Sequence, residues 1–331
     1  MNDAAPSPAP ACPTAMIDLV RSVHGRHAGN LSGHPASYIP ELARVPADLF
    51  GLAVAGSDGS IACAGDANRE FTLQSISKAF TFALLVDTAG RAETFAAVGV
   101  QPSAEAFNAI ELDPRTNRPF NPMMNAGAIA VAGRLLENGG DRAFGQILAM
   151  LSAAAGRELR VDEAVFRSEQ ETGHRNRAIA HVLRAAGVFT IDPDVVASLY
   201  FRQCAVLVTA ADLARMGATL GNLGTNPATG RDVFGTDAVR DTLSVMFTCG
   251  MYNGAGDWAC RVGLPAKSGV GGGVLAVVNR QLGIGVFSPR LDERGNPVRG
   301  LLCCVDLAEE LGLHAFDATN AGSSYLSAWR G

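Results

Sequence analysis

The chain predicts an α+β fold: a central antiparallel sheet flanked by helices, with a large helical lobe inserted between its strands. Two observations carry this reading, a β-hairpin pattern near each end of the chain and a long run of helical segments between them. A third, one more helical segment after the second hairpin, supplies a cover for the sheet.

Apolar residues Ile17, Leu19, Val20 and Val23 recur at helical spacing, so Thr14 to Gly29 reads as an amphipathic helix. A proline-containing connection through Tyr38 and Pro40 leads to Leu49–Ala55 and Ile61–Ala64. These read as a hairpin, because the intervening Asp58-Gly59 supplies the positive φ of a tight turn. Helices are expected at Ser75–Thr88, Ala126–Glu137, Arg142–Ala155, Arg175–Ala186, Ala210–Leu220 and Thr236–Thr248, several of them stopped by glycine. Gly273–Val278 and Leu282–Phe287 form the second apolar pair, and Leu301–Leu311 the last helix. Hairpins so far apart in sequence can join in one antiparallel sheet. The expected organisation is a flexible tail over 1–13, one domain over 14–318 and a C-terminal tail over 319–331. Within the domain an α/β lobe takes about 14–85 and 250–318, and a helical lobe about 86–249.

With 331 residues, 48% of them hydrophobic, the chain can bury a large core. A net charge of -5 offers no basic field for nucleic acid or an anionic membrane. The proline-rich start lacks the apolar stretch of a secretory signal, and no apolar run approaches the roughly 20 residues that span a bilayer. A soluble, cytoplasmic protein is expected. The seven cysteines form an odd set without a CxxC spacing, which reads as reduced thiols. His24 and His27 are spaced i, i+3 but lack a third ligand, so neither a metal nor another cofactor is expected.

Of 27 cationic residues only two are lysines, Lys78 and Lys267; the other 25 are arginines. Lysine differs from arginine chiefly in being able to release its proton, so the two lysines mark candidate positions for a deprotonatable or compact amine. Lys78 closes the motif Ser75-Ile76-Ser77-Lys78 at the predicted start of a helix. There an i, i+3 pair brings a hydroxyl and an amine onto one face, and the amine can take the hydroxyl proton. Lys267 opens Lys267-Ser268-Gly269, directly before the first strand of the second hairpin.

S-x-x-K followed by K-[ST]-G is the pattern of serine β-lactamases and penicillin-binding proteins. The segments around it resemble one branch of that fold more closely, the serine-dependent glutaminases: SYIPELA (37–43), FTLQSISK (71–78), NPMMNAGAI (121–129), SEQETGHRN (168–176), YFRQC (200–204), CGMY (249–252) and LPAKSGVGGG (264–273). They follow the family's order over about 235 residues. The resemblance implies a β-lactamase/transpeptidase-like fold, L-glutamine as substrate, no cofactor, and a homodimer or homotetramer. It implies Ser75 as nucleophile, Lys78 as proton acceptor or relay, and Tyr38, Asn125, Glu169, Asn176, Tyr200, Tyr252 and the backbone of Val270 as substrate contacts. Lys267 takes a supporting role.

Those roles suit the substrate. Glutamine brings an ammonium, a carboxylate and a neutral amide, so its site needs an anion at one end, donors beside it and a nucleophile at the other. Glu169 can supply the anion, and Asn125, Asn176 and Tyr38 the donors. Backbone N–H groups of Ser75 and Val270 can form an oxyanion hole, and Tyr200 or Tyr252 can pass a proton to the departing ammonia. Rival readings are a penicillin-recognising hydrolase on the same fold and an inactive glutamine-binding sensor.

Overall fold

The structure, a computed structural model, describes residues 10–37, 39–103 and 108–317. The two hairpins do join. β1 (Gly51–Gly56) pairs with β2 (Ile61–Gly65) on one side and with β7 (Leu282–Phe287) on the other, in a register running from Gly51 opposite Phe287 to Gly56 opposite Leu282. Beyond β7 come β6 (Gly273–Val278) and β5 (Ala266–Gly269), giving the fully antiparallel order β2-β1-β7-β6-β5. A separate two-residue ladder joins β3 (Phe71–Thr72) to β4 (Leu207–Val208).

Helices cover both faces of the sheet. On one side lie α1 (Thr14–His27) and α13 (Val298–Leu311), whose buried Val20, Val23, Cys303, Cys304 and Leu307 pack with Leu52, Val274, Ile284 and Val286. On the other side α10 (Ala210–Gly221) lies directly on β1, β6 and β7. Its Ala210, Ala214, Gly217 and Ala218 are small enough to let helix and sheet approach closely, and Thr209 and Asp212 close a capping box at its start.

The remaining helices are α2 (Pro40–Ala43), α3 (Ser77–Ala89), α4 (Arg91–Ala97), α5 (Asn125–Gly139), α6 (Ala143–Ala155), α7 (Glu163–Thr172), α8 (His174–Ala185), α9 (Pro193–Cys204), α11 (Thr236–Cys249) and α12 (Ala255–Arg261). A large core, to which Phe80, Phe82, Ile129, Ile147, Leu151, Phe201 and Met246 belong, binds α3, α5, α6, α9 and α11 together. α3 is buried almost all round, with its Ser77 to Ala83 wholly enclosed, so it is the axle about which the helical half is built.

Several elements depart from the sequence expectation, among them the short helices α2, α4 and α12 and the β3–β4 ladder, which had no predicted span. Ala266–Gly269 is a strand of its own at the sheet edge, not a lead-in to the second hairpin. α7 and α9 also went without a predicted span. The histidine pair serves the fold: His24 Nε2 lies 3.0 Å from Phe50 O, and His27 Nε2 2.9 Å from Asp306 Oδ2. No helix among the described residues is long and apolar enough to cross a membrane. The expected tails fall largely outside the described residues.

Candidate active site

Ser75 sits in a single 3-10 turn, Gln74–Ile76, that runs directly into α3. The turn begins with Gln74 at φ 49, a left-handed backbone that a non-glycine residue adopts only at a cost. Lys78 follows in the first turn of α3 and is fully buried. Its Nζ donates to Asn125 Oδ1 at 2.6 Å and to Met123 O at 3.2 Å. Asn125 opens α5; its Oδ1 also accepts from the Tyr200 hydroxyl of α9 at 3.3 Å, and its Nδ2 donates to Asn176 Oδ1 of α8 at 2.9 Å. Glu169, on the buried face of α7, accepts from Gln74 Nε2 at 2.9 Å.

The other lysine arrives from the sheet. Lys267 is fully buried on β5, with Nζ 3.9 Å from the centre of the Tyr252 ring and 2.7 Å from Ser268 O. Lys78 Nζ lies 5.7 Å from the same ring centre and 6.0 Å from that of Tyr200. The Tyr252 hydroxyl is hydrogen-bonded to the Ser75 side chain. Tyr252, like Gln74, is a non-glycine residue at positive φ, here 55. Two close approaches bring this half of the site up to Ser75, and both demand glycine. A Cβ at Gly250 would lie 1.8 Å from Ala266 O, and one at Gly269 2.9 Å from Leu73 O.

Burial sets the protonation chemistry. It drives the Lys78 amine down from 10.5 to about 7, against the opposing pull of Cys204 and Glu169. Glu169 is pushed up from 4.5 to about 8 by burial, opposed by the Gln74 hydrogen bond and by Lys78. Lys267 is held well below its ordinary value by burial and then by Lys78. The mutual repulsion of the two amines therefore falls on Lys267; for Lys78 burial is the cause. Burial raises the Tyr252 phenol and the Cys204 thiol.

Gln74, Ser75, Asn125, Glu169, Asn176 and Tyr200 line one cavity of about 380 Å³. Lys78, Tyr252 and Lys267 stand behind its Ser75 wall. Val270 lines a neighbouring groove with Ser37 and Leu291, and packs against Ile39, which faces the cavity. Tyr38, between Ser37 and Ile39, lies outside the described residues. Sequence reasoning missed Gln74, Cys204 and the rim residues Asn108 and Arg175, whose Nε donates to Asn108 O at 2.6 Å. Gln74 had a signal, being the residue before the motif serine; the rim pair had none. A larger apolar groove of about 660 Å³ beside α11 contains no paired acid and amine.

A helix opening with a buried serine and lysine, laid against the Lys-Ser-Gly edge strand of an antiparallel sheet, defines the serine β-lactamase-like class of α+β fold. Within that class the family model described as Glutaminase matches residues 33–316. The chain belongs to the glutaminase family. It is 46% identical over 311 residues to a glutaminase of Nostoc sp., covering 94% of this chain and 93% of that one. With glutaminase 2 of Bradyrhizobium diazoefficiens it shares 54% identity over 291 residues, 88% of this chain but 46% of that longer one. Among solved structures, a probable glutaminase ybaS superposes with a TM-score of 0.89 at 38% identity, covering 92% of this chain and 99% of that one. Mglu in its glutamate form gives 0.88 at 44% identity, covering 92% and 71%.

Proposed function

We propose that the protein hydrolyses L-glutamine to L-glutamate and ammonia through a glutamyl ester on Ser75. The observation that carries this reading is the placement of Ser75 between two proton-handling groups. Its hydroxyl is bonded to Tyr252, and the neutralised amine of Lys78 stands one turn away, at the wall of a cavity whose far side holds Glu169.

The substrate ammonium would pair with Glu169. That contact restores to the buried carboxylate the charge partner it lacks in the empty site, so Glu169 ionises as substrate binds. The Asn125–Asn176 pair offers amide donors to the substrate carboxylate. Ser75 Oγ attacks the amide carbon while its proton passes, through Tyr252 or directly, to Lys78. The carbon–nitrogen bond then breaks, the proton leaves with ammonia, and water cleaves the ester, returning a proton to Ser75 Oγ. Asn125 Oδ1, 2.6 Å from Lys78 Nζ, fixes where the amine waits.

The same reading takes residues 14–318 as one catalytic domain. A reducing, cytoplasmic setting is supported by seven unpaired cysteines. The motif resemblance alone carries the homodimer or homotetramer, which sedimentation equilibrium tests. For the chemistry the test is Ser75→Ala. Ammonia release should fall at least about 1,000-fold, and acid-quenched wild type should carry one glutamyl group on the peptide containing Ser75. An alanine variant with full turnover would remove the covalent mechanism.

A further inference from the structure

We infer that Asn296 is a positioning residue for the reaction, acting on Ser75 from the far side of the sheet edge through Ser268, Lys267 and Tyr252; the inference rests on the proposed roles of Ser75 and Tyr252. Asn296 is buried, 3% exposed, at the end of the turn 292–296. Four contacts lead from it to the nucleophile. Ser268 Oγ donates to Asn296 Oδ1 at 2.5 Å. Ser268 O accepts from Lys267 Nζ at 2.7 Å. Lys267 Nζ stands 3.9 Å from the Tyr252 ring centre, and the Tyr252 hydroxyl bonds Ser75.

The turn is built to hold Asn296 still. Asn296 N donates to Asp292 Oδ1 at 2.9 Å, and Asp292 N donates back to Asn296 O at 2.8 Å. It also braces both segments that flank Ser75. A Cβ on Gly254, two residues after Tyr252, would lie 3.4 Å from an Arg294 guanidinium nitrogen and 4.0 Å from Asn296 Nδ2. A Cβ on Gly295 would meet Val270 Cγ1 at 3.6 Å. One five-residue turn is therefore bonded through Ser268 to the strand that carries Lys267, and lies close to Val270 just beyond that strand and to the turn that carries Tyr252. Asn296 itself does not line the substrate cavity; it faces a separate pocket of about 180 Å³ between α12 and α13, with Met251 and Trp258.

Removing the acceptor leaves the buried Ser268 hydroxyl without its partner. Ser268 then rotates, the carbonyl that anchors Lys267 shifts, and the Lys267 amine packed on the Tyr252 ring moves with it. Since Tyr252 holds the Ser75 hydroxyl, the loss appears in turnover, while Glu169, Asn125 and Asn176 keep binding glutamine as before.

The experiment compares wild type, Asn296→Ala, Tyr252→Phe and the double variant in glutamate release across pH. Asn296→Ala should lower kcat about 10- to 100-fold with KM within about threefold of wild type. In the Tyr252→Phe background the same substitution should cost less than about threefold, because the group it acts through is already gone. A structural defect at Asn296 would instead multiply with Tyr252→Phe. Should Asn296→Ala fail to fold, Ser268→Ala breaks the same link from its other end with almost no change of shape, and the same kcat loss is expected. Wild-type kcat in the first soluble variant of the two, or losses that multiply in the double variant, would overturn the inference. Full turnover by Ser75→Ala would instead strike the covalent mechanism, so the two failures are distinct.

Discussion

The pH dependence of turnover tests the role of Lys78 most directly. Moving its amine from 10.5 to about 7 corresponds to roughly 5 kcal/mol of lost preference for the charged form. Only the neutral amine can accept the Ser75 proton. With its titration at about 7, about a tenth of the enzyme is competent at pH 6, half at pH 7 and nine-tenths at pH 8. Thus kcat should rise about fivefold from pH 6 to 7, approach a tenfold rise per pH unit below 6, and level off above 8. kcat/KM, which reports the free enzyme, should carry a second limb near 8 from Glu169, whose carboxylate must be ionised to hold the substrate ammonium. Once substrate is bound its ammonium pulls Glu169 down, so that limb should be missing from kcat. Lys78→Arg replaces the amine with a cation that keeps its proton, and should cost about 1,000-fold or more in kcat. The assay is glutamate formation by chromatography between pH 5.5 and 9, with no coupling enzyme to impose its own profile. A flat kcat from pH 6 to 8, or an arginine variant retaining a tenth of wild-type turnover, would refute Lys78 as the proton acceptor.

Two further outcomes are expected. Glu169 titrates at about 8 folded and 4.5 unfolded, so between these values the folded chain binds the extra proton and stability falls as pH rises; above 8 the whole cost of burying the charge is present. Glu169→Gln removes that cost and should raise Tm by several degrees at pH 9 but little at pH 5, while KM for glutamine rises at least about 100-fold; a Tm unchanged at pH 9 by scanning calorimetry would contradict it. Gly250→Ala places a methyl group 1.8 Å from Ala266 O at the junction of α11 and β5, and should destabilise the fold by about 3 kcal/mol or more in urea unfolding; a soluble variant of wild-type stability would show that this junction yields.

Where side chains face a dry core, the sequence was legible. The two hairpins and the helices α1, α3, α5, α6, α8, α10, α11 and α13 follow from apolar periodicity and turn residues, whereas the sequence left the joining of the hairpins as a possibility that the β1–β7 pairing realises. Short elements such as α4 and α12 are too brief to show a period, and the longer losses cluster at the site with one cause. α7 has a readable cap in Asp162, whose Oδ1 accepts from Ala164 N and Val165 N, and α9 has Asp192 followed by Pro193. Yet the inward face of α7 is Val165, Ser168 and Glu169, and that polar stripe erases the amphipathic pattern. β5 failed in the same way, since Lys267 and Ser268 point into the molecule where a core strand would place valine or isoleucine. Residue types could be read at the site, because the two rare lysines fell in two recognisable motifs. What could not be read was their arrangement: that Tyr252 stands between the two amines, or that a turn at 292–296 reaches the strand at 268.

The two lysines and one buried arginine show how this chain decides which cations keep their protons. Arg299 is 1% exposed, but its guanidinium donates to Ala47 O, Asp48 O and Leu49 O and to Ser288 Oγ, and it lies over the Phe50 ring. Four oxygen acceptors and an aromatic face surround it, so burial lowers its affinity for the proton without removing the charge. Lys78 is as deeply buried and has two oxygen acceptors, Met123 O and Asn125 Oδ1. Lys267 has Ser268 O and the face of a ring. A compact ammonium so thinly solvated gives up its proton more readily than a solvated one, at about 7 for Lys78 and well below the ordinary value for Lys267, which is the property required of an amine beside the proposed nucleophile Ser75. A lysine-poor composition and the site chemistry thus have one physical origin: arginine holds the charge wherever charge is wanted, and lysine remains where charge must be shed. The same logic explains why the site costs stability. A neutralised amine, a carboxylate pushed toward protonation and two left-handed non-glycine residues, Gln74 and Tyr252, are each unfavourable alone, and they persist because the packed core around α3 and the edge strand β5 leaves them no other arrangement.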